Sequence, residues 1–137
     1  MNGGLITNAR DLARFGLLFL NRGNWNGKQL ISSSWVDEAT SVQVPTSIPN
    51  DETQRAYGSG AYGYNWWING ITPSGKRFLP GADPSTYWAS GFGTNKCYVI
   101  PAWGMVIVRT GGIPQDWKEA DSVFNTFLEI VGKAIKK

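Results

Sequence analysis

Residues 87–111, which read YWASGFGTNKCYVIPAWGMVIVRTG, decide the fold of this chain. Two apolar, β-branched runs at 98–100 and 105–108 flank the turn sequence Pro-Ala-Trp-Gly at 101–104. Just upstream, the sequence Gly-Phe-Gly-Thr-Asn at 91–95 lies where a strand begins. Short apolar runs that alternate with glycine- and proline-containing turns are typical of antiparallel strands. The stretch therefore predicts strand, bend, strand, turn and strand, in a sheet whose exposed backbone can line a pocket.

Two helices are predicted before this sheet. Residues 8–20 fit a helix because Asn8 is a suitable N-cap, with Asp11 three residues later and apolar residues at helical spacing. Glycine at position 23 and the Asn-Gly pair at 26–27 predict a stop and a turn. A second, short helix is predicted to begin at Ser33 or Ser34. Asp37 and Glu38 are expected in its first turn.

The middle of the chain carries weaker signals. Residues 41–59 are polar and without a clear period, which predicts a loop. Residues 62–68 predict an aromatic strand, and the Asn-Gly pair at 69–70 predicts a hairpin turn. Its partner strand is expected at 76–79, followed by turns at 80–85.

A helix is also predicted at the C-terminus. Apolar residues recur there every three or four positions, and Asp116 lies near the expected start. The residues in this stripe are Trp117, Ala120, Phe124, Phe127, Val131 and Ile135. An antiparallel meander buries one face, and this helix is its natural cover. Residues 1–137 are therefore expected to form a single α+β unit, with helices at both ends and no linker.

Composition narrows the function. The net charge is +3, and Lys133, Lys136 and Lys137 at the C-terminus account for that value without a basic stripe, so no nucleic-acid partner is expected. We predict no membrane segment, since no run approaches the roughly 18 apolar residues that a spanning helix needs. The first residues lack the pattern of a signal peptide. Because Cys97 is the only cysteine, its expected role is a core thiol.

No complete catalytic or metal site can be assembled from the residues. The chain has no histidine, and its carboxylates match no ligand motif, so neither a metal nor another cofactor is expected. Asp83 and Asp116 are the best candidates for a glycosidase pair, but turn formation or helix capping explains them equally well. Ser90 lies beside the bend, yet no Ser-x-x-Lys sequence occurs, and Ser74 precedes Lys76 in a turn rather than on a helix.

Several sequence segments, in order, resemble the serine β-lactamase-like family, which includes class C β-lactamases, penicillin-binding-protein-like DD-peptidases, esterases and amide hydrolases. The first resembling segments are Gly3-Gly4-Leu5, DLARF at 11–15 and WNGKQLI at 25–31. The later ones are YGYNWW at 62–67, ASGFG at 89–93, YVIP at 98–101 and VIVRTG at 106–111. The resemblance covers nearly the whole chain and implies a partial β-lactamase/transpeptidase-like fold.

The resemblance also implies which part of the enzyme is present. In the family the Ser-x-x-Lys nucleophile and the Tyr-x-Asn element precede the Gly-Gly-Leu segment, and this chain contains neither. No catalytic nucleophile or lysine is therefore expected in this chain, which looks like the C-terminal portion of a serine acyl hydrolase and should be inactive alone. Family members are often periplasmic or secreted, but this sequence does not reveal the compartment.

The expected substrate and oxyanion region is the bend. The third family motif, Lys-Thr-Gly or His-x-Gly, falls on or near Phe92, where the usual cationic or imidazole group is replaced by a phenyl ring. This change favours an ester, amide or peptide substrate over a β-lactam, which carries a carboxylate. The backbone N–H of Asn95 is the expected oxyanion donor. The region comprises Ser90, Gly91, Phe92, Gly93, Thr94 and Asn95. A glycine-rich bend that merely starts a strand remains the alternative.

The sequence also leaves a non-catalytic function open. The chain could be a non-catalytic binding module that uses the aromatic strand 62–68 and the loop 41–59. On a strand, Tyr62, Tyr64 and Trp66 would share one face, although aromatics also dominate ordinary cores. If the sheet lacks strands that the complete family fold contains, it would also expose an edge or an apolar surface. A homo-oligomer could form through that surface.

Overall fold

The computed structural model describes residues 5–48, 58–112 and 120–135, and has the predicted α+β architecture. Two helices precede a four-stranded sheet, and a third helix follows it. The helices are α1 (Ala9–Leu20), α2 (Ser33–Ala39) and α3 (Ala120–Ala134). The strands are β1 (Asn24–Trp25), β2 (Lys28–Gln29), β3 (Trp67–Ile68), β4 (Tyr87–Gly91), β5 (Asn95–Ile100) and β6 (Met105–Arg109).

The main sheet is an antiparallel meander in the order β3-β4-β5-β6. Its turns are the predicted ones: a 3-10 turn at Phe92–Thr94 joins β4 to β5, and another at Pro101–Trp103 joins β5 to β6. Strands β1 and β2 form a separate small hairpin around the expected Asn-Gly turn at 26–27. The strand pattern predicted for residues 87–111 is thus confirmed.

Helix α1 forms where its capping residue predicts. The side chain of Asn8 accepts a hydrogen bond from the backbone N–H of Asp11 at 2.9 Å, which satisfies one unpaired donor of the first turn. Gly16 lets the helix lie close to the sheet. A Cβ at this position would lie 2.7 Å from Cγ1 of Val106 and 2.8 Å from Sγ of Cys97. The lack of a side chain at Gly16 therefore sets how closely α1 packs on β5 and β6.

Both faces of the sheet are covered, whereas the sequence suggested one buried face. Alternate residues of a strand point to opposite faces. Val99 packs with α1 and α2 residues, and Tyr98 and Ile100 pack in a second cluster with Leu128 of α3. Because helices lie on both sides, the whole segment 96–100 is buried. Strand β5 is therefore the centre of the fold.

The predicted strand at 62–68 is largely wrong. Only Trp67–Ile68 forms a strand, because Asn65 has a positive φ of 60° and the chain turns back, so that Tyr62 bridges Trp67. Trp66 is buried beside Phe19 rather than displayed on an open face. The shared aromatic face expected for a binding strand does not exist.

The hairpin turn predicted at the Asn-Gly pair 69–70 is also wrong. Asn69 is buried, and its side-chain amide donates hydrogen bonds to the carbonyl oxygens of Leu79 and Asp83, at 3.0 and 3.1 Å. Its Oδ1 accepts from the backbone N–H of Leu79. The actual reversal is at 72–76, and only the bridge between Ile71 and Arg77 represents the predicted partner strand. Asn69 therefore organises a loop instead of forming a turn.

The two remaining helices differ in detail from the prediction. Helix α2 is capped by Ser32, and its first turn contains no acidic residue, so the first-turn placement of Asp37 and Glu38 is wrong. The expected start of the C-terminal helix at Asp116 and Trp117 lies outside the described residues. Within α3, Leu128 is fully buried although the predicted stripe omitted it. In the described part of the chain, each helix is too short or too polar to cross a bilayer.

Candidate functional site

A pocket of about 670 Å³ lies at the end of the sheet where β4 passes into the bend. Four residues of the predicted site region line it, namely Ser90, Gly91, Phe92 and Asn95. Apolar and aromatic side chains from α1 and the 62–67 segment form much of the remaining wall, including Leu12, Tyr62 and Trp67. The two other predicted residues, Gly93 and Thr94, lie in the bend outside this lining.

The edge of β4 at the pocket has no neighbouring strand among the described residues. Pairing with β3 covers only Tyr87 and Trp88, and residues 89–91 pair with β5 alone. A strand edge presents backbone N–H and C=O groups at regular spacing. An extended substrate could form hydrogen bonds with this edge, as peptides do when they add to a sheet.

The bend is held from β6. Gly93 and Thr94 have positive φ values of 75° and 62°, and the Thr94 conformation is uncommon for a residue with a side chain. The guanidinium of Arg109 donates hydrogen bonds to the carbonyl oxygen of Gly93, at 2.8 Å, and to the hydroxyl oxygen of Thr94. Arg109 therefore stabilises a backbone conformation that local preferences disfavour.

Asn95 braces the same bend through its side chain. Its Nδ2 donates a hydrogen bond to the carbonyl oxygen of Phe92 at 2.7 Å, and its Oδ1 accepts one from the N–H of Gly111 at 3.0 Å. The Phe92 ring is 86% exposed at the mouth of the pocket. A rigid bend with an exposed ring at its tip is a preorganised surface for a ligand, since little ordering is left for binding.

Ser90 has a partner that sequence reasoning missed. The amine of Lys96 donates a hydrogen bond to the Ser90 hydroxyl oxygen, with 2.9 Å between Nζ and Oγ. The two residues are directly opposite in the β4–β5 register, equally far from Gly93 at the centre of the bend. That symmetry is the signal that could have revealed the pair, because residues opposite each other in an antiparallel hairpin share one face of the sheet.

Cys97 is the core thiol that was predicted. It is fully buried, and its Sγ lies 3.6 Å from the carbonyl oxygen of Leu12. Burial raises the pKa of the Cys97 thiol to about 11. A thiol that stays protonated at neutral pH is a poor nucleophile, so the chemistry of the pocket does not come from this cysteine.

Among the described residues, no carboxylate lines this pocket. Within the described ranges, no three His, Cys, Asp or Glu residues form a group that could hold a metal ion. Asp83 accepts hydrogen bonds from the backbone and hydroxyl of Ser85, which is a turn role. Asp116 lies outside the described residues. Asp83 is therefore not part of the described lining of the pocket.

Comparison with known proteins finds relatives in sequence and in structure, among them the following three. The 6-aminohexanoate-dimer hydrolase of Paenarthrobacter ureafaciens is 32% identical over 69 residues, a match that covers 50% of this chain and 18% of that protein. A Bacillus anthracis structure, provisionally described as a 6-aminohexanoate-dimer hydrolase, is 25% identical over 91% of this chain, with a TM-score of 0.57. A Bacteroides dorei structure, provisionally described as a β-lactamase, matches the fold over 91% of this chain with the same TM-score and 17% identity.

The matches cover only part of each relative's length. This chain covers 29% of the Bacillus protein and 40% of the Bacteroides protein, so it spans less than half the length of each relative named above. No protein-family profile matches the chain. The matches confirm the expected fold and the expected partial coverage of a longer relative.

Proposed function

We propose that this chain supplies the substrate-binding strand and part of the oxyanion hole of a serine acyl hydrolase. The proposal is supported by its similarity to part of longer proteins of the serine β-lactamase-like type. The observation that carries this proposal is the pocket at the edge of β4 that no described strand covers, beside a bend braced by Arg109 and Asn95. Acyl hydrolysis needs rigid backbone donors where charge develops on the carbonyl oxygen. This end of the sheet offers such a backbone.

We assign the following roles to the residues of the pocket. The substrate lies in the pocket at the end of β4, and its carbonyl oxygen faces backbone N–H groups of the bend and of Asn95, the first residue of β5. The attacking serine and its lysine are supplied by sequence upstream of this chain, as the family resemblance implies. The exposed ring of Phe92 contacts the apolar part of the substrate. The chain alone is therefore inactive.

The substrate class is an ester, an amide or a peptide. Two of the relatives are named for hydrolysis of the 6-aminohexanoate dimer, which makes that compound the first substrate to test. p-Nitrophenyl esters of short fatty acids test the esterase alternative. The product of the natural gene, isolated from its source cells, should hydrolyse at least one of these substrates, whereas the 137-residue chain should not. If the natural gene product leaves all of these substrates intact, the proposal is overturned.

Self-association is a second candidate function, and one feature of α3 favours it. The side chains of Val123, Phe127 and Ile130 are exposed and follow one another at four and three residues, so they form one apolar face. A second copy of this chain could cover this face. Sedimentation of the chain and of a Phe127→Glu variant tests this candidate: a dimer that the substitution dissociates supports it, and a monomer excludes it.

A further inference from the structure

An aromatic pair lies on the surface where α2 meets the 62–67 segment. The ring centroids of Trp35, on α2, and Tyr64 are 5.5 Å apart, and the two ring planes are within 21° of parallel. The residues are 47% and 42% exposed. Neither belongs to the described lining of the pocket, so the proposed hydrolase function makes no use of them. Two exposed rings in contact form a continuous apolar surface, which is more informative than a single exposed side chain.

The backbone holds this aromatic pair in place. The N–H of Trp35 donates a hydrogen bond to the hydroxyl oxygen of the capping residue Ser32 at 3.2 Å. The N–H of Tyr64 donates one to the carbonyl oxygen of Ala39, near the end of the same helix, at 3.0 Å. A Cβ at Gly63 would lie 2.3 Å from that carbonyl oxygen, so the segment follows the helix closely. The two rings therefore have little conformational freedom left to lose when a ligand binds.

A carboxylate lies beside the two rings. Glu38 follows Trp35 by three residues on α2, and residues at this spacing are neighbours on the surface of a helix. The hydroxyl of Tyr64 donates to Oε1 of Glu38 over 3.4 Å, which is well beyond the usual O–H···O distance of about 2.7 Å. Because a carboxylate has about four acceptor positions, most of the accepting capacity of Glu38 is available to a ligand.

The charge of Glu38 is not neutralised by a neighbour. In the part of the chain that the structure describes, no lysine or arginine forms a salt bridge with its carboxylate. The adjacent acidic residue, Asp37, differs in this respect because it pairs with Arg22. Aromatic ring faces carry partial negative charge, so the rings and the carboxylate attract the same kind of group, a cation.

We infer that Trp35, Tyr64 and Glu38 form a binding site for a small organic cation of the quaternary ammonium class. The methyl groups on the ligand nitrogen lie against exposed ring surface, and Glu38 supplies the opposite charge. A metal ion fits less well, since it needs more oxygen ligands than one carboxylate offers. A primary ammonium also fits less well, because it is strongly hydrated and would lose water on the rings. The site is independent of the proposed hydrolase function.

Binding of choline by the 137-residue chain tests this inference. The matched probe is 3,3-dimethylbutan-1-ol, which has the shape of choline but a carbon atom in place of the charged nitrogen. NMR follows the indole N–H of Trp35, which a Trp35→Phe variant identifies because it lacks this signal. We expect choline to bind about tenfold more tightly than the alcohol at low salt. Equal affinities for the two probes, or choline binding that leaves the signals of Trp35 and Tyr64 unchanged, would overturn the inference.

Variants assign the preference to the three side chains. Glu38→Gln should remove most of the preference for choline, whereas Tyr64→Phe, which keeps the ring, should retain it. Trp35→Leu should weaken the binding of both probes, as followed at the backbone N–H of Tyr64. Glu129→Gln is the matched control, because Glu129 pairs with Lys133 on α3, and it should leave the preference unchanged. If Trp35→Leu does not fold, Glu38→Gln decides, since the Glu38 side chain is exposed. A preference that persists in Glu38→Gln contradicts the inference.

Vesicles distinguish two sources of the same chemical group, since choline occurs both as a free molecule and as a lipid headgroup. Co-sedimentation of the chain with phosphatidylcholine vesicles, abolished by free choline and by Glu38→Gln, would assign the site to the headgroup. Choline binding without co-sedimentation would assign it to a free small molecule.

Discussion

The guanidinium of Arg109, on the edge strand β6, donates a 2.8 Å hydrogen bond to the carbonyl oxygen of Gly93, at the tip of the bend between β4 and β5. The bond spans 16 residues of sequence and crosses the end of β5. Since the bend borders the pocket, this contact links strand β6 to the pocket. The shape of the pocket thus depends on a residue that does not line it.

Arg109→Met should release the bend. The carbonyl of Gly93 and the hydroxyl of Thr94 would lose a charged donor, which we expect to lower the free energy of unfolding by about 1–3 kcal/mol. Urea unfolding measures this change, and amide exchange at Thr94 should become faster. Arg14→Met is the control, because Arg14 forms only an exposed ion pair with Asp11 and should cost less than about 1 kcal/mol. Equal effects from the two substitutions would contradict the role given to Arg109.

Gly16→Ala should be destabilising through overpacking. The added Cβ would lie within 2.8 Å of both Cys97 Sγ and Val106 Cγ1, so α1 must move away from the sheet. We expect a loss of about 1–3 kcal/mol in urea unfolding. Gly112→Ala is the matched control, because among the described residues no heavy atom outside Gly112 and its chain neighbours lies within 4 Å of a Cβ at that position. A Gly16→Ala protein as stable as Gly112→Ala would show that the helix is not packed this closely.

Stability should fall at alkaline pH because of Cys97. Its pKa is about 11 in the folded chain and about 8.5 in an unfolded one, so the unfolded state loses the thiol proton first. The contribution to stability is complete below about pH 8.5 and is lost as the pH rises to 11, by about 3 kcal/mol at most.

Urea unfolding at pH 7 and at pH 10.5 measures this contribution from Cys97. Burial also raises the pKa of Tyr87, so part of the alkaline loss belongs to that residue. The informative comparison is therefore between the wild type and Cys97→Ala. The variant should lose less stability between the two pH values. The same loss in both proteins would contradict the assignment.

Asn95 offers a test of the oxyanion hole in the complete enzyme. Asn95→Pro removes the backbone N–H, and we predict a fall of about 10²–10³ in kcat. Asn95→Ala keeps that N–H but removes the side-chain bonds to Phe92 and Gly111, so it serves as the control for a disturbed bend. Unchanged turnover in the proline variant, or an equal loss in both, would reject the N–H of Asn95 as the donor. Thermal melting of both variants excludes unfolding as the cause.

Sequence alone predicted the elements whose signals are local. Helix α1 was predicted because its cap and apolar spacing lie within the helix itself. The β5–β6 hairpin was predicted because two apolar runs flank a turn sequence that reverses the chain at Pro101–Trp103. In both cases the residues that specify the element are neighbours in the chain, so a sequence pattern contains the necessary information.

Elements that depend on distant partners were missed. The aromatic residues of the 62–68 run favour a strand, but Asn65 turns the chain and Trp66 packs in the core against Phe19 of α1. Asn69 resembles a turn residue, yet carbonyl groups at least ten residues away set its conformation. The Ser90–Lys96 pair required the exact register of the hairpin, which a sequence pattern defines only to within a few residues. Tertiary contacts therefore overrode local preference at each of these positions.

We propose that this chain is the substrate-binding part of a serine acyl hydrolase whose nucleophile lies upstream. Labelling of the natural gene product with a fluorophosphonate, followed by mass spectrometry of the intact protein and its peptides, tests the claim most directly. We expect a product well above 15.1 kDa, labelled on a serine in a Ser-x-x-Lys sequence that precedes Gly3. An unlabelled product of 15.1 kDa would contradict it.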